Sequence, residues 1–358
     1  NISKLLLVLV SNHYMQYFTL FFICLFSIST YASECKKPEM PSNDEWNKWL
    51  SEIKIEAINN GISKKTIENE LNNIKPQKKI ILRDRCQPES RITLKEYLFY
   101  RVDKARIVGG KKILKKYQIE LDEISKYFNI QKRFIVAILG MESSYGKNQG
   151  KIRTIDAVAT LAFDRRRSEF YKKQLFATLK IIDQNLVSSN NLKGSWGGAL
   201  GMTQMLPTTF IDSGYDWDGN GVDIWNSYED AFASIANYLT TIDKNLWNSN
   251  LSWGREVLPP SNFSDFAESL KQQNPKGCGA VKSRSVPKTL IEWNKLGFRD
   301  KYGNILPERN DFEARLVYPD GINGRMFLVY QNYKNLLYYN CSSYYAISLG
   351  LLSDEINS

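Results

Sequence analysis

Three observations predict a mainly helical α+β fold. Residues 44–116 are rich in charge and carry Trp46, Leu50, Ile53 and Ala57 three or four positions apart, the spacing of one helix face. Residues 113–245 form a second helical block around the apolar run 134–141, which must be buried on several sides. Beyond Trp253 the pattern changes: Pro259-Pro260, Gly277 and Gly279 punctuate the chain, and alternation in 312–318 and 325–330 predicts short strands and turns.

In chain order, residues 1–33 read as an export signal. The apolar run 18–28 has 11 residues, short of the roughly 20 needed to span a bilayer, and Thr30-Tyr31-Ala32 offers small residues for cleavage. A second apolar run at 5–10 leaves retention as a membrane anchor open, whereas Glu34 before Cys35 does not fit a lipidation box. Residues 34–117 are then an α lobe and 118–250 the core. In the core, a helix is expected from 168 to 182 with Ser168 as N-cap. Residues 251–331 are a small β lobe, and 332–358 a closing segment whose stretch 342–352 reads as a helix returning to the core. Cleavage of the signal removes Cys24 and leaves Cys35, Cys86, Cys278 and Cys341, an even set that allows up to two disulfides in three pairings. A periplasmic location follows, with no stable membrane insertion after signal removal.

The 358 residues include 48 Lys and Arg against 38 Asp and Glu, a net charge of +10 that suits an anionic partner, although the cations are scattered as on an ordinary solvated surface. The single histidine, His13, lies in the export segment. A mature chain without histidine has no Ser-His or Cys-His dyad, no histidine-ligated zinc and no histidine base, so carboxylates, tyrosines or lysines must carry any proton transfer.

Glu142, in GMESSYG, follows the apolar run with Gly146 available to end the helix. One apolar wall at that place raises a carboxyl pKa, as a general acid requires, although a solvated helix cap has the same local sequence. Downstream, Gly194, Gly197, Gly198 and Gly201 fall within eight residues, which suits close approach of backbone, with Ser195 and Gln204 as the polar groups able to face a cleft. Asp216, Asp218 and Asn220 stand at positions 1, 3 and 5 of a calcium loop, with Gly221 at 6 and the Val222 carbonyl at 7. Ser227 at position 12 lacks the usual bidentate carboxylate, and a metal-free Asx turn is the competing reading.

The ordered segments ESSYG, TIDAVATLAFDRRRSEF, GALGMTQMLP, DWDGNGVDIWNSYEDAFASIANYL, WGREV and YNCSSYYAISLGLLSD resemble the lytic murein transglycosylase B family over residues 94–352. The resemblance implies a lysozyme-like helical core flanked by an α lobe and a small β lobe. It implies Glu142 as the single catalytic acid, with Ser195, Gln204, Arg166, Arg167, Tyr238, Tyr339, Asn340 and, less closely matched, Tyr100 along the substrate cleft. The two arginines are expected to meet carboxylates of peptide stems. It also implies Asp230 as the late carboxylate of a structural calcium site with Asp216, Asp218, Asn220 and Val222. No cofactor is expected for catalysis. The residues after Glu142, and Arg165, differ from the best-known members, which leaves subsite preference open.

With one acid, the implied reaction on peptidoglycan glycan strands is non-hydrolytic: Glu142 protonates the leaving oxygen at C1 of N-acetylmuramic acid, then takes the C6 hydroxyl proton as a 1,6-anhydro ring closes. A hydrolytic muramidase and an inactive peptidoglycan-binding protein are the alternatives; the latter would have lost the acid or the polar cleft residues. Nucleic acid is excluded as a partner by the export signal and the lack of a basic stripe.

Overall fold

The computed structural model describes residues 40–85, 92–164, 166–242 and 247–358. The export segment, Cys35 and Cys86 lie outside the described residues.

Helix α1 (Asn43–Asn59) begins at a reciprocal cap: Ser42 accepts from the Glu45 N–H and Glu45 accepts from the Ser42 N–H at 2.8 Å. Its face of Trp46, Leu50, Ile53 and Ala57 is buried as the spacing predicts. Helices α2 (Lys64–Leu71) and α3 (Lys78–Arg85) complete a layer with α1, and Trp46 donates to the Ile74 carbonyl at 3.1 Å. This layer packs on α8 (Thr154–Phe163) and α9 (Ser168–Asp183) through Ile155, Val158, Leu175 and Leu179. Helix α9 departs from expectation at its start. Ser168 is its first helical residue, not its cap, and the Ser168 hydroxyl donates to the Ala162 carbonyl at 2.6 Å, closing the turn from α8.

Helices α4 (Leu94–Arg101), α5 (Lys104–Lys116) and α6 (Gln118–Phe128) lead into α7 (Lys132–Ser143). Every residue from 134 to 141 is buried, so α7 runs through the centre, as the unbroken apolar run predicts. Around it lie α6, α11 (Tyr228–Thr241), α15 (Gln331–Tyr339) and α16 (Ser343–Asn357). The strands β1 (Ile152–Arg153) and β2 (Lys193–Gly194) pair antiparallel beside this core, and α10 (Pro207–Ser213) precedes α11.

The second sheet is antiparallel, in the order β4 (Lys288–Thr289), β6 (Glu313–Val317), β7 (Met326–Val329), β3 (Gly254–Leu258), β5 (Arg299–Asp300). The short helices α12 (Phe263–Phe266), α13 (Gly279–Lys282) and α14 (Leu290–Lys295) connect its strands. Strand β7 is buried on both faces. Met326 and Leu328 join a local core with Trp293 and Phe298, and Phe327 and Val329 join the central helical core. Trp253 clamps this junction: its ring lies against Gly350 of α16, and its indole donates to Asp354 at 2.9 Å, which also pairs with Arg133 of α7. Among the expected pairings, Cys278 is bonded to Cys341. No helix among the described residues is long and apolar enough to cross a membrane.

Candidate active site

Burial of α7 carries Glu142, in its last turn, to the surface of the core. The helix ends at Ser144 rather than Gly146: Ser144, Tyr145 and Gly146 all take positive φ (51°, 61° and 81°), an arrangement costly for the first two. Tertiary contacts hold it. The Tyr145 hydroxyl donates to the Arg106 carbonyl at 2.7 Å, its ring fills the space left by Gly109 and Gly140, and Tyr228 donates to the Tyr145 carbonyl at 2.9 Å. Glu142 is thus the last side chain before a locked reversal.

The Glu142 side chain is half-buried, and Tyr345 of α16 donates to its Oε1 at 2.5 Å. Burial pushes the carboxyl up to about 7, against the opposing pull of the Tyr345 hydrogen bond and the Arg101 charge. Burial and the neighbouring Glu142 push Tyr345 and Tyr339 well above the usual phenol range, so both are neutral donors.

Beyond Gly146 runs a groove of about 770 Å³ lined by Gln149, Gly150, Ser195, Trp196 and Gln204, with Arg83 and Lys147 at its edges. Its floor is backbone. A Cβ on Gly150 would overlap the Gly194 carbonyl and lie 2.5 Å from the Ser195 nitrogen. Ser195 is held by reciprocal bonds with Ala199: its N–H donates to the Ala199 carbonyl at 2.8 Å and its Oγ accepts from the Ala199 N–H at 3.2 Å, leaving the hydroxyl proton to point elsewhere. Gln204, also at positive φ (52°), donates its amide to the carbonyls of Gly201 (2.8 Å) and Gln149 (3.1 Å).

Tyr339 donates to the Thr203 carbonyl at 2.8 Å and meets Tyr238 edge to face at 5.2 Å, while Tyr238 donates to the Tyr338 carbonyl at 2.8 Å. Asn340 is exposed at the end of α15. Tyr238, Tyr339 and Tyr345 therefore form one wall with Glu142. Arg166 and Arg167 face a carboxylate of this chain: Arg166 grips Asp84 in a two-pronged pair (2.7 and 2.9 Å), Arg167 pairs with the same residue, and Asp84 is 2% exposed. Tyr100 is not brought to Glu142. It is 67% exposed and borders a separate depression with Phe99, Lys95, Glu256 and Arg325.

One helical turn earlier on α4, Tyr97 faces the site instead. Its ring lies 5.7 Å from Tyr344, its phenol helps to keep Tyr345 protonated, and Arg101 sits over it at 5.5 Å. Tyr345, Tyr97, Arg101 and Trp196 were not singled out from sequence. The only signal was that Tyr345 lies inside YNCSSYYAISLGLLSD, where spacing alone does not separate Tyr344 from Tyr345.

The loop before α11 and the first turn of α11 bring together Asp216, Asp218 and Asp230, each with a carboxylate oxygen within 4.8 Å of the others. Asp230 is fully buried and accepts from the Trp217 N–H (2.8 Å) and the Asp223 N–H (2.7 Å). Asp216 accepts from the N–H groups of Gly219, Asn220 and Gly221, and the Asn220 side chain bonds Asp218 at 2.7 Å. Three carboxylates and an amide oxygen form a hard donor set suited to calcium. The buried Asp230, whose carboxyl desolvation pushes up, is the observation a cation would relieve.

Residues 45–354 match the transglycosylase SLT domain family. The chain belongs to this family. It is 34% identical over 125 residues to membrane-bound lytic murein transglycosylase B of Escherichia coli (strain K12), a stretch covering 34% of this chain and 34% of that protein. The chain thus spans about a third of the curated relative it matches. The structure of SltB3 from Pseudomonas aeruginosa in complex with NAG-anhNAM-pentapeptide superimposes with a TM-score of 0.78 at 34% identity, covering 87% of this chain and 80% of that one. The Escherichia coli lytic transglycosylase Slt35 in complex with calcium shares the fold, with a TM-score of 0.68 at 22% identity, covering 86% and 92%. In this member of the SLT domain family, Glu142 thus stands at the end of the central helix of a lysozyme-like core.

Proposed function

We propose that this SLT-family chain is a lytic transglycosylase that cleaves the β-1,4 bond between N-acetylmuramic acid and N-acetylglucosamine of peptidoglycan without water, leaving 1,6-anhydromuramic ends. The observation that carries the reading is a carboxyl, raised to about 7, four residues before Gly146, which lines a groove whose described lining contains no Asp or Glu. A glycosidase of the usual two-carboxylate kind needs a second such group across the bond. With pKa near the working pH, Glu142 holds a proton to give to the leaving oxygen and then, as carboxylate, accepts the proton of the C6 hydroxyl, which attacks C1 of the same sugar. The muramoyl N-acetyl carbonyl stabilises the positive charge at C1, and the uncommitted hydroxyl proton of Ser195 orients that group. Tyr345 holds the Glu142 carboxyl in one rotamer. Gln204 fixes the groove floor, and the apposed rings of Tyr238 and Tyr339 exclude water on the wall they share with Glu142. Fragments released from purified sacculi are expected to be one water lighter than muramidase products and to resist borohydride; reducible ends would make the enzyme a hydrolase.

Tyr345→Phe removes a hydrogen bond that lowers the Glu142 pKa. The alkaline limb of the pH–rate profile is therefore expected to move to higher pH, with turnover lower because the carboxyl is no longer oriented. An unchanged profile would remove Tyr345 from the proton transfer.

Calcium is proposed as a structural ligand of Asp216, Asp218, Asn220, Asp230 and the Val222 carbonyl, fixing the loop that leads into α11. Added calcium should raise the melting temperature by mass action, by an amount set by its concentration relative to its dissociation constant, and Asp216→Ala should abolish the rise. Superimposable melting curves in calcium and chelator would favour the metal-free turn. The site of action is proposed to be the periplasm, where an oxidising milieu maintains the Cys278–Cys341 bond.

A further inference from the structure

The groove beside Ser195 carries a charge that bond cleavage leaves unexplained. Arg83, Lys147 and Lys151 line it, and among its described lining residues there is no Asp or Glu. All three cations are exposed, and their side chains have no ion-pair or hydrogen-bond partner among the described residues. Their neighbours differ. Asp84, next to Arg83 in sequence, is already held by Arg166 and Arg167, and Arg85 is spent on Asp164. Like charges gathered in one concavity repel one another, and concave walls concentrate their field on whatever enters. That arrangement favours an anionic ligand.

The backbone that bears the two lysines is held in place. Lys147 follows Gly146, whose N–H donates to the Ser143 hydroxyl at 2.9 Å, and the Asn148 N–H donates to the Ser143 carbonyl at 2.8 Å. The Gln149 amide donates to the carbonyls of Gly146 (3.1 Å) and Trp225 (2.9 Å). Lys151 lies between Gly150, which is packed on the Gly194 carbonyl, and Ile152, which pairs with Gly194 across β1 and β2. Arg83 comes from a different element, the last turn of α3. A cation carried on a fixed turn loses little freedom beyond that of its own side chain when it meets an anion.

The lysine turn leads directly from the end of α7, so the cations and Glu142 belong to one short stretch of chain. We propose that Arg83, Lys147 and Lys151 form a carboxylate-binding edge of the groove, which receives the free carboxylates of the peptides carried by the glycan strand. The proposal rests on the peptidoglycan reading above and names the part of the substrate that this groove selects. It assigns peptide recognition to these three cations, in contrast to Arg166 and Arg167, whose guanidinium groups already hold Asp84. The Arg83 fork suits a two-pronged grip on a carboxylate, and each lysine ammonium offers a mobile point charge. Ser195 lines the same groove, so sugar and peptide are read side by side.

The test compares full-length wild type with Lys147→Ala/Lys151→Ala on two forms of one substrate: glycan strands with acetylated peptide amines, and the same strands after their peptide carboxyls are converted to amides. Peptide size is then nearly equal, and the negative charge is what differs. Wild type is expected to show a KM about five- to tenfold lower on the carboxylate form at similar kcat. This preference should shrink as salt is raised. The double alanine variant should lose most of it, and Lys147→Arg/Lys151→Arg should retain it. Lys104→Ala/Lys112→Ala, which removes the same charge from exposed positions of α5 outside the groove lining, should retain it too. Equal KM on the two forms in wild type, or an undiminished preference in the double alanine variant, would overturn the carboxylate assignment and leave the functional reading standing. An equal loss in Lys104→Ala/Lys112→Ala would also overturn it, since net charge would then be the cause. Wild type that releases no fragments from either form would overturn the functional reading, and this assignment with it.

Discussion

Glu142→Gln is expected to fold and to release peptidoglycan fragments at least about 10² to 10⁴-fold more slowly than wild type, the usual contribution of a positioned proton donor and acceptor. The amide keeps the shape and still accepts from Tyr345, but it neither donates nor takes the proton that both halves of the reaction require. The same substitution has a stability signature. The folded-state pKa of Glu142, about 7, lies above the ordinary 4.5, so folding favours the protonated form. That contribution is complete below about pH 4.5 and is lost as pH rises through about 7, above which the fold must hold a buried carboxylate. The rise from 4.5 to about 7 corresponds to about 3 kcal/mol at most. Glu142→Gln should therefore match wild type in melting temperature near pH 4 and exceed it at pH 8. A variant less stable than wild type at pH 8, or one with near-normal turnover, would remove Glu142 from the role assigned to it.

Gly150→Ala is the second large effect, and it acts on the groove without touching the acid. Gly150 takes φ of +84°, where a side chain is strained, and its missing Cβ is replaced by the Gly194 carbonyl and the Ser195 nitrogen. Both obstacles are backbone, so no rotamer change relieves them. Left-handed strain of about 1–3 kcal/mol and overpacking of a further 1–3 kcal/mol predict a loss of several kcal/mol in stability. The relief available is to push β2 away from β1, which displaces Ser195. Activity should fall more than the folded fraction at the assay temperature. Gly219→Ala is the control: its φ is similar, at +82°, but nothing lies within 4 Å, so it suffers the strain alone. Equal losses in the two variants would argue against backbone contact as the cause.

The fold was legible wherever burial is periodic. Trp46 to Ala57 and residues 134–141 write their partners into the sequence, because one face or all faces must leave water. The alternation in 312–318 and 325–330 located β6 and β7 for the same reason. What spacing does not report is which local conformation wins at an element's end. Ser144 takes the left-handed cap that Gly146 offered, because Tyr145 is anchored in the gap left by Gly109 and Gly140, distant positions that no local rule connects. Ser168 was a sound cap by residue type, but its hydroxyl is drawn to the Ala162 carbonyl across the turn from α8. At the site, Glu142 was a candidate from its place after an unbroken apolar run, a pattern that a solvated cap shares, and the family resemblance is what assigned it as the acid. Tyr345 was no candidate, since its meaning depends on α16 lying against α7. Tyr97 was missed in favour of Tyr100 for a simpler reason: the two hold the same residue type three positions apart on neighbouring parts of one helix face, so spacing does not separate them and only the packing of Tyr97 on Tyr344 does.

The most direct test of a reaction in which Glu142 serves as acid and base without water is digestion of peptidoglycan in water enriched in heavy oxygen. Wild-type enzyme is predicted to release muramoyl ends that carry no heavy oxygen at C1 from the earliest time points, since the oxygen bound there comes from the sugar's own C6 hydroxyl. A muramidase run in parallel incorporates one heavy oxygen per bond cleaved. Stoichiometric incorporation by this enzyme would contradict the account.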